Sequence, residues 1–97
     1  MAFAIFTYDK PGLNHVRQKY RDAHYSYLEE HKHLLIASGG LQDDPGEWMI
    51  GGLIILDVES AEEALNFCDS DPFTKAGLFK SIDVVRWKAA YIGGKRQ

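Results

Sequence analysis

The sequence predicts an α+β fold with the element order β-α-β-β-α-β and one antiparallel sheet. Three observations lead there. Short apolar or aromatic runs alternate with two segments of helical spacing; a capping signal opens the second helix just after the strongest apolar run; and no repeat, linker or low-complexity segment divides the 97 residues. That length fits one folded unit, a single domain over residues 1–97, with one core.

The first strand is "AFAIFTY", residues 2–8, which stops at the turn signal "DKPG". Residues 13–33 then change period. Leu13, Val16, Tyr20, Ala23, Tyr27 and Leu28 recur mostly at intervals of three and four, which makes one apolar stripe on a helix. "LLIASGG", 34–40, returns to strand and ends on two glycines. A short polar loop, "LQDDPGEW", precedes the strong strand "MIGGLIILDV" over 49–58. Any lid carried by that loop would be small.

Ser60 opens the second helix, with Glu63 three residues later completing a capping box. Its expected apolar face is Ala61, Ala64, Leu65 and Cys68, which makes the lone cysteine a small core residue rather than a nucleophile. "PFTKA" then forms a short helical turn closed by Gly77, and "SIDVVRWKAAYI", 81–92, is the last strand. Lys95 and Arg96 read as a frayed tail. The order is ferredoxin-like: an antiparallel sheet covered on one side by two helices.

One helix layer leaves the other sheet face open. "AFAIF" and "LIIL" are nevertheless apolar at consecutive positions, so both faces of those strands call for burial. A homodimer packed sheet against sheet is the simplest expectation.

Composition narrows the function. A net charge of -3 with no clustered basic patch argues against nucleic-acid binding, which depends on Lys and Arg against phosphate. No run approaches the ~20 apolar residues of a membrane span, and the opening residues lack the charged region of a signal peptide. With a single cysteine no internal disulfide can form. A cytoplasmic protein without membrane partners is expected. The glycine pairs at 39, 51 and 93 lack the spacing of nucleotide loops, and no metal, flavin or nucleotide cofactor is called for.

Two residues stand out chemically. His24 falls within the apolar stripe of the first helix, one turn after Tyr20. There it is either a hydrogen-bonded core histidine or a neutral imidazole facing a pocket, suited to proton transfer. Asp71 stands before Pro72, where extended backbone is favoured and a carboxylate caps the following turn. Capping alone explains the aspartate, yet one oxygen can cap while the other accepts from an imidazole. Phe73 and Trp87 are candidate walls of an apolar pocket. His15 reads as solvated, and His31 and His33 could share a metal only on an extended segment, with no acidic ligand placed beside them.

"RDAHYSYL" (21–28), "ASGGL" (37–41) and "DSDPFTKAGLF" (69–79) together resemble the signature of YCII-related proteins, small members of the dimeric α/β-barrel superfamily. The resemblance runs over nearly the whole chain. It implies a ferredoxin-like dimer with a pocket between sheet and helices and a His–Asp pair as catalytic centre. The matching positions are His24 and Asp71, with Arg21, Ser38 and Gly39 as pocket neighbours. It also implies a small-molecule partner: some relatives look like enzymes of aromatic-compound breakdown, dehydrochlorination included, while the superfamily also holds isomerases, monooxygenases and purely binding members. The expectation is therefore a lyase or isomerase using His24 and Asp71 as acid and base on a small aromatic or enolisable metabolite. The alternative is a non-catalytic dimer that binds such a metabolite.

Overall fold

A computed structural model describes residues 1–97. The chain forms β1 (Ala2–Asp9), α1 (Asn14–Glu30), a 3-10 turn (Lys32–Leu34), β2 (Leu35–Gln42), β3 (Met49–Asp57), α2 (Ala61–Asp69), α3 (Pro72–Lys75) and β4 (Phe79–Trp87). The four strands make one antiparallel sheet in the order β2-β3-β1-β4, the ferredoxin-like arrangement. A two-stranded ribbon, β5 (Tyr91–Ile92) and β6 (Lys95–Arg96), follows it. The last strand of the sheet thus ends at Trp87 rather than Ile92, and Lys95 and Arg96 are paired instead of frayed, because the chain reverses at Gly93–Gly94 and Tyr91 pairs with Arg96.

Strand register decides which side chains meet the helices. Directly paired residues share a face, and successive residues alternate faces. Phe3 opposes Leu56 and Ile5 opposes Ile54; these four join Leu28 of α1 and Ala64, Phe67 and Cys68 of α2 in the core. Ile5, Leu56 and Ala64 are wholly buried. Burying an Ile or Leu side chain of this kind contributes about 1.5–3 kcal/mol. The other parity of the strands faces away: Phe6 pairs with Leu53, and Ala4 pairs with Ile55 on one side and Val85 on the other. No helix covers this side, and Val85 is 51% exposed.

The local signals act as the spacing suggests. Ser60 Oγ accepts from the Glu63 N–H at 3.1 Å, and Glu63 reaches back to the Glu59 N–H, which fixes the start of α2. The apolar face of α2 is shifted, however. Phe67 enters the core with Ala64 and Cys68, while Leu65 and Ala61 lie exposed. On α1, Tyr27 and Leu28 meet the core and Ala23 is exposed. The half-buried positions nearer its start are Val16, Arg17, Tyr20 and His24. Apolar contact between α1 and the sheet is thus concentrated in the second half of the helix.

No helix is long and apolar enough to cross a membrane.

Candidate active site

Where α1 turns polar, a cleft of about 140 Å³ opens between it, α3 and the sheet. Its floor is the continuation of the core face of β1. After Phe3 and Ile5 comes Thr7, paired with Gly52 of β3, and Gly52 in turn pairs with Gly40 of β2. Three small residues replace the bulk that fills the rest of the layer. Ser38, opposite Ile54, and Gly39 complete the β2 edge of the floor. At Gly51 the neighbouring strand comes so near that a Cβ would lie 2.0 Å from the Thr7 carbonyl oxygen.

The opposite wall is α1, with Arg17, Arg21 and His24 lining the cleft. Spacings of four and three residues put them on one helix face. The third wall is α3. Asp71 has extended backbone, with φ -66° and ψ 132°, as expected before proline. Its Oδ1 accepts from the Phe73 N–H at 2.9 Å, and Pro72 occupies the first helical position. Gly77, at φ +74°, closes the turn in a conformation that side chains disfavour.

The cap is also a partner. His24 Nδ1 lies 2.9 Å from both oxygens of Asp71, across 47 residues of sequence. A carboxylate only accepts, so Nδ1 carries a proton, and in the neutral imidazole Nε2 is the nitrogen with the free lone pair. The Asp71 side chain is 3% exposed, whereas the imidazole borders the cleft. Phe73 fixes the ring's plane: the two rings stack at 4.2 Å with 18° between them. The position of the imidazole is thus determined from one edge and one face.

The other residues singled out from sequence are placed as follows. Arg21 stands at the cleft rim, largely exposed, over the Tyr25 ring and near Asp22. Ser38 and Gly39 line the floor. Trp87 does not reach the cleft. It pairs with Ala2, at the opposite end of β1 from Thr7, because β4 runs antiparallel to β1. His31 donates from Nδ1 to the Tyr27 carbonyl and packs on Tyr27 and Phe67, so it serves the helix end. No group of three or more His, Cys, Asp and Glu converges on one point.

Burial pushes the Cys68 thiol up to about 11, with the Asp71 charge adding to it and a contact to Thr74 opposing it. The thiol therefore stays protonated near neutrality. Tyr27 is likewise pushed up to about 12 by burial first and by Asp71 second; its hydroxyl donates to the Phe67 carbonyl at 2.6 Å.

Arg17 was not singled out by the sequence, and it is the principal addition. Its guanidinium meets Asp9 edge to edge, Nε to Oδ2 at 2.7 Å and Nη2 to Oδ1 at 2.8 Å, and lies 4.7 Å from the Phe73 ring centre. The available signal was the spacing: Arg17 precedes His24 by seven residues, two helical turns along the same face. Thr7, the buried polar residue that closes the core face of β1, was missed too.

Comparison with known proteins bears on the family and the fold. The family model of the YCII-related domain matches residues 1–88. The chain is 28% identical over 98 residues to Protein YciI of Escherichia coli, covering 94% of this chain and 100% of that one, and equally to Protein YciI of Shigella flexneri. It is similar to the solved 5-chloro-2-hydroxyhydroquinone dehydrochlorinase (TftG) of Burkholderia phenoliruptrix in complex with 2,5-dihydroxybenzoquinone. That likeness has TM-score 0.82 and 39% identity, over 91% of this chain and 94% of that one. A Nitrosomonas europaea protein, NE2512, shares the fold at TM-score 0.54 and 21% identity, over 94% of this chain and 91% of that one. With its family model matched over residues 1–88, nearly its whole length, the chain belongs to the YCII-related domain family.

Proposed function

We propose that this protein is a lyase that uses His24 and Asp71 for general acid–base chemistry on a small hydroxylated aromatic or similarly enolisable molecule. The observation that carries the reading is the imidazole at the cleft, held by Asp71 through Nδ1 so that Nε2 can accept a proton. The dehydrochlorinase relative, which acts on a chlorinated hydroxyhydroquinone, supports this class of substrate.

Proton transfer suffices for such an elimination. Nε2 takes the proton of the hydroxyl beside the halogenated carbon, and that carbon gains a proton and becomes tetrahedral. A second hydroxyl, conjugated with it through the ring, then loses its proton. The electron pair released there, relayed through the ring, expels halide and leaves a quinone. One proton and one halide depart, and no external oxidant is consumed. Asp71 stabilises the imidazolium formed midway. Arg21 at the rim attracts an anionic group, Ser38 offers a hydroxyl, and Phe73 supplies an apolar wall as well as the stacking face for His24. We further propose that a second copy of the chain covers the open sheet face carrying Phe6, Leu53, Ile55 and Val85.

The test is chloride release from 5-chloro-2-hydroxyhydroquinone in the absence of oxygen. Wild-type protein is expected to accelerate it, and His24→Ala to lose roughly 100- to 10 000-fold. Tight binding of 2,5-dihydroxybenzoquinone with no acceleration of chloride release would instead make the protein a binding module.

A further inference from the structure

We infer that Met49 is the movable part of a wall between the cleft and a second cavity, so that the site takes a hydroxylated ring bearing a side chain that ends in an anion. This rests on the acid–base reading above and extends its ligand. The second cavity, of about 310 Å³, is lined by Asp9, Lys10, Leu13, Trp48, Ile50 and Lys80 among others, and Met49 borders both spaces. The rest of the wall is an ion pair. Asp9 lines the second cavity and Arg17 lines the cleft, with Arg17 Nε and Nη2 bound to the two Asp9 oxygens.

The two parts of the wall differ in stiffness. The ion pair is fixed by bonds of 2.7 and 2.8 Å, whereas Met49 is held only by contact. Its thioether fills the space that Gly40 leaves: a Cβ on Gly40 would come within 2.6 Å of Sδ and 3.1 Å of the terminal methyl. Gly40 lies opposite Gly52 in the helix-facing layer, while strict alternation from Gly52 would turn Met49 to the other face. The register shift between Leu41 and Gln42, where Gln42 pairs with Met49, accompanies that departure. Met49 is 39% exposed, unbranched and rich in rotatable bonds, so turning it outwards forfeits little packing. With it turned, the cleft and the second cavity become one space.

The chemistry beyond the wall selects the side chain. Leu13, Trp48 and Ile50 offer apolar surface to a short carbon chain. Lys10 and Lys80 make no ion pair within the protein, and the one acid lining the cavity, Asp9, is neutralised by Arg17. A carboxylate at the end of the chain therefore meets two cations without an acidic competitor.

The test compares affinities for 2,5-dihydroxybenzoquinone, its 3-(3-carboxypropyl) derivative and its 3-butyl derivative. Wild type is expected to bind the carboxypropyl compound at least as tightly as the parent, and about fivefold or more tightly than the butyl compound. Lys10→Gln/Lys80→Gln is expected to erase that second preference. Met49→Ala removes the partition and Met49→Phe stiffens it. The affinity ratio of carboxypropyl compound to parent is expected to rise about fivefold in the first and fall about fivefold in the second, opposite shifts that a general loss of stability would not produce. Three results overturn the inference alone, provided wild type releases chloride from 5-chloro-2-hydroxyhydroquinone. These are rejection of both substituted quinones by about tenfold relative to the parent, equal affinity for the two, and a ratio within about twofold of wild type in folded Met49→Ala protein. If wild type binds none of the three quinones and releases no chloride, the acid–base reading falls, and this inference with it.

Discussion

Replacing Asp71 by Asn separates the two tasks that its carboxylate performs. Asparagine caps a helix about as well as aspartate, so the bond to the Phe73 N–H survives at a cost of a few tenths of a kcal/mol. The bond to His24 does not survive unchanged. Both Asp71 oxygens lie 2.9 Å from Nδ1, and Oδ1 is the atom that accepts from Phe73. With Oδ1 kept for the cap, the new amide nitrogen takes the place of Oδ2, donor facing donor. The conflict is relieved when the imidazole moves its proton to Nε2 and accepts through Nδ1, the tautomer that cannot act as a base towards the cleft. Losing one charge-assisted bond and keeping a neutral one is worth about 1–2 kcal/mol, which in a chain of this size lowers Tm by about 5–15 °C. Turnover is expected to fall roughly 100- to 10 000-fold. Thermal melting, chloride release and the nitrogen NMR shifts of His24 read the three consequences separately. Asp71→Asn protein that keeps near wild-type turnover, or that still carries its imidazole proton on Nδ1, would refute the reasoning.

Other perturbations follow from the same geometry. Val85→Asp places a charge on the open sheet face and is expected to leave the fold intact while giving an 11 kDa monomer by sedimentation; Ile5→Asp, at a wholly buried position, is expected to abolish folding. Wild type sedimenting as a monomer at micromolar concentration would remove the dimer. Gly51→Ala forces the Thr7 strand to shift and is expected to destabilise by more than ~2 kcal/mol, read as a lower urea midpoint. Stability should also fall in alkali. Cys68 is neutral in both folded and unfolded chains below its usual 9.0, but between there and about 11 the unfolded thiol ionises while the folded one does not; Tyr27 acts the same way from 10.0 to about 12. A urea midpoint that stays flat from pH 8 to 11 would contradict this burial.

The parts of the structure that were legible in the sequence are those whose causes lie within a few residues. The Ser60–Glu63 box, the Asp71–Pro72 start and the Gly77 stop are each closed by bonds spanning two to five positions, and each lies where the residue types put it. The fold order follows from such signals together with the change of period between strands and helices. The α2 face was misplaced because Leu65 and Phe67 are both apolar, and only the packing against β1 and β4 decides which of them enters. Arg17 escaped notice because a charged residue on a helix reads as solvated until Asp9, eight residues back beyond a turn, is known to meet it.

The glycine pairs carry the larger lesson. As a phosphate loop they have the wrong spacing, and in isolation they mean little. Register changes their meaning: Gly40 lies opposite Gly52, Gly52 lies opposite Thr7, and together they remove side-chain volume from one end of the sheet's helix-facing layer. At that same end α1 exchanges Leu28 for His24 and Arg17. Apolar volume is withdrawn from both layers at one place, so the core stops there and a cleft begins. A ligand entering the cleft meets polar groups already held by Asp9 and Asp71, which reduces the reorganisation required when charge develops on it.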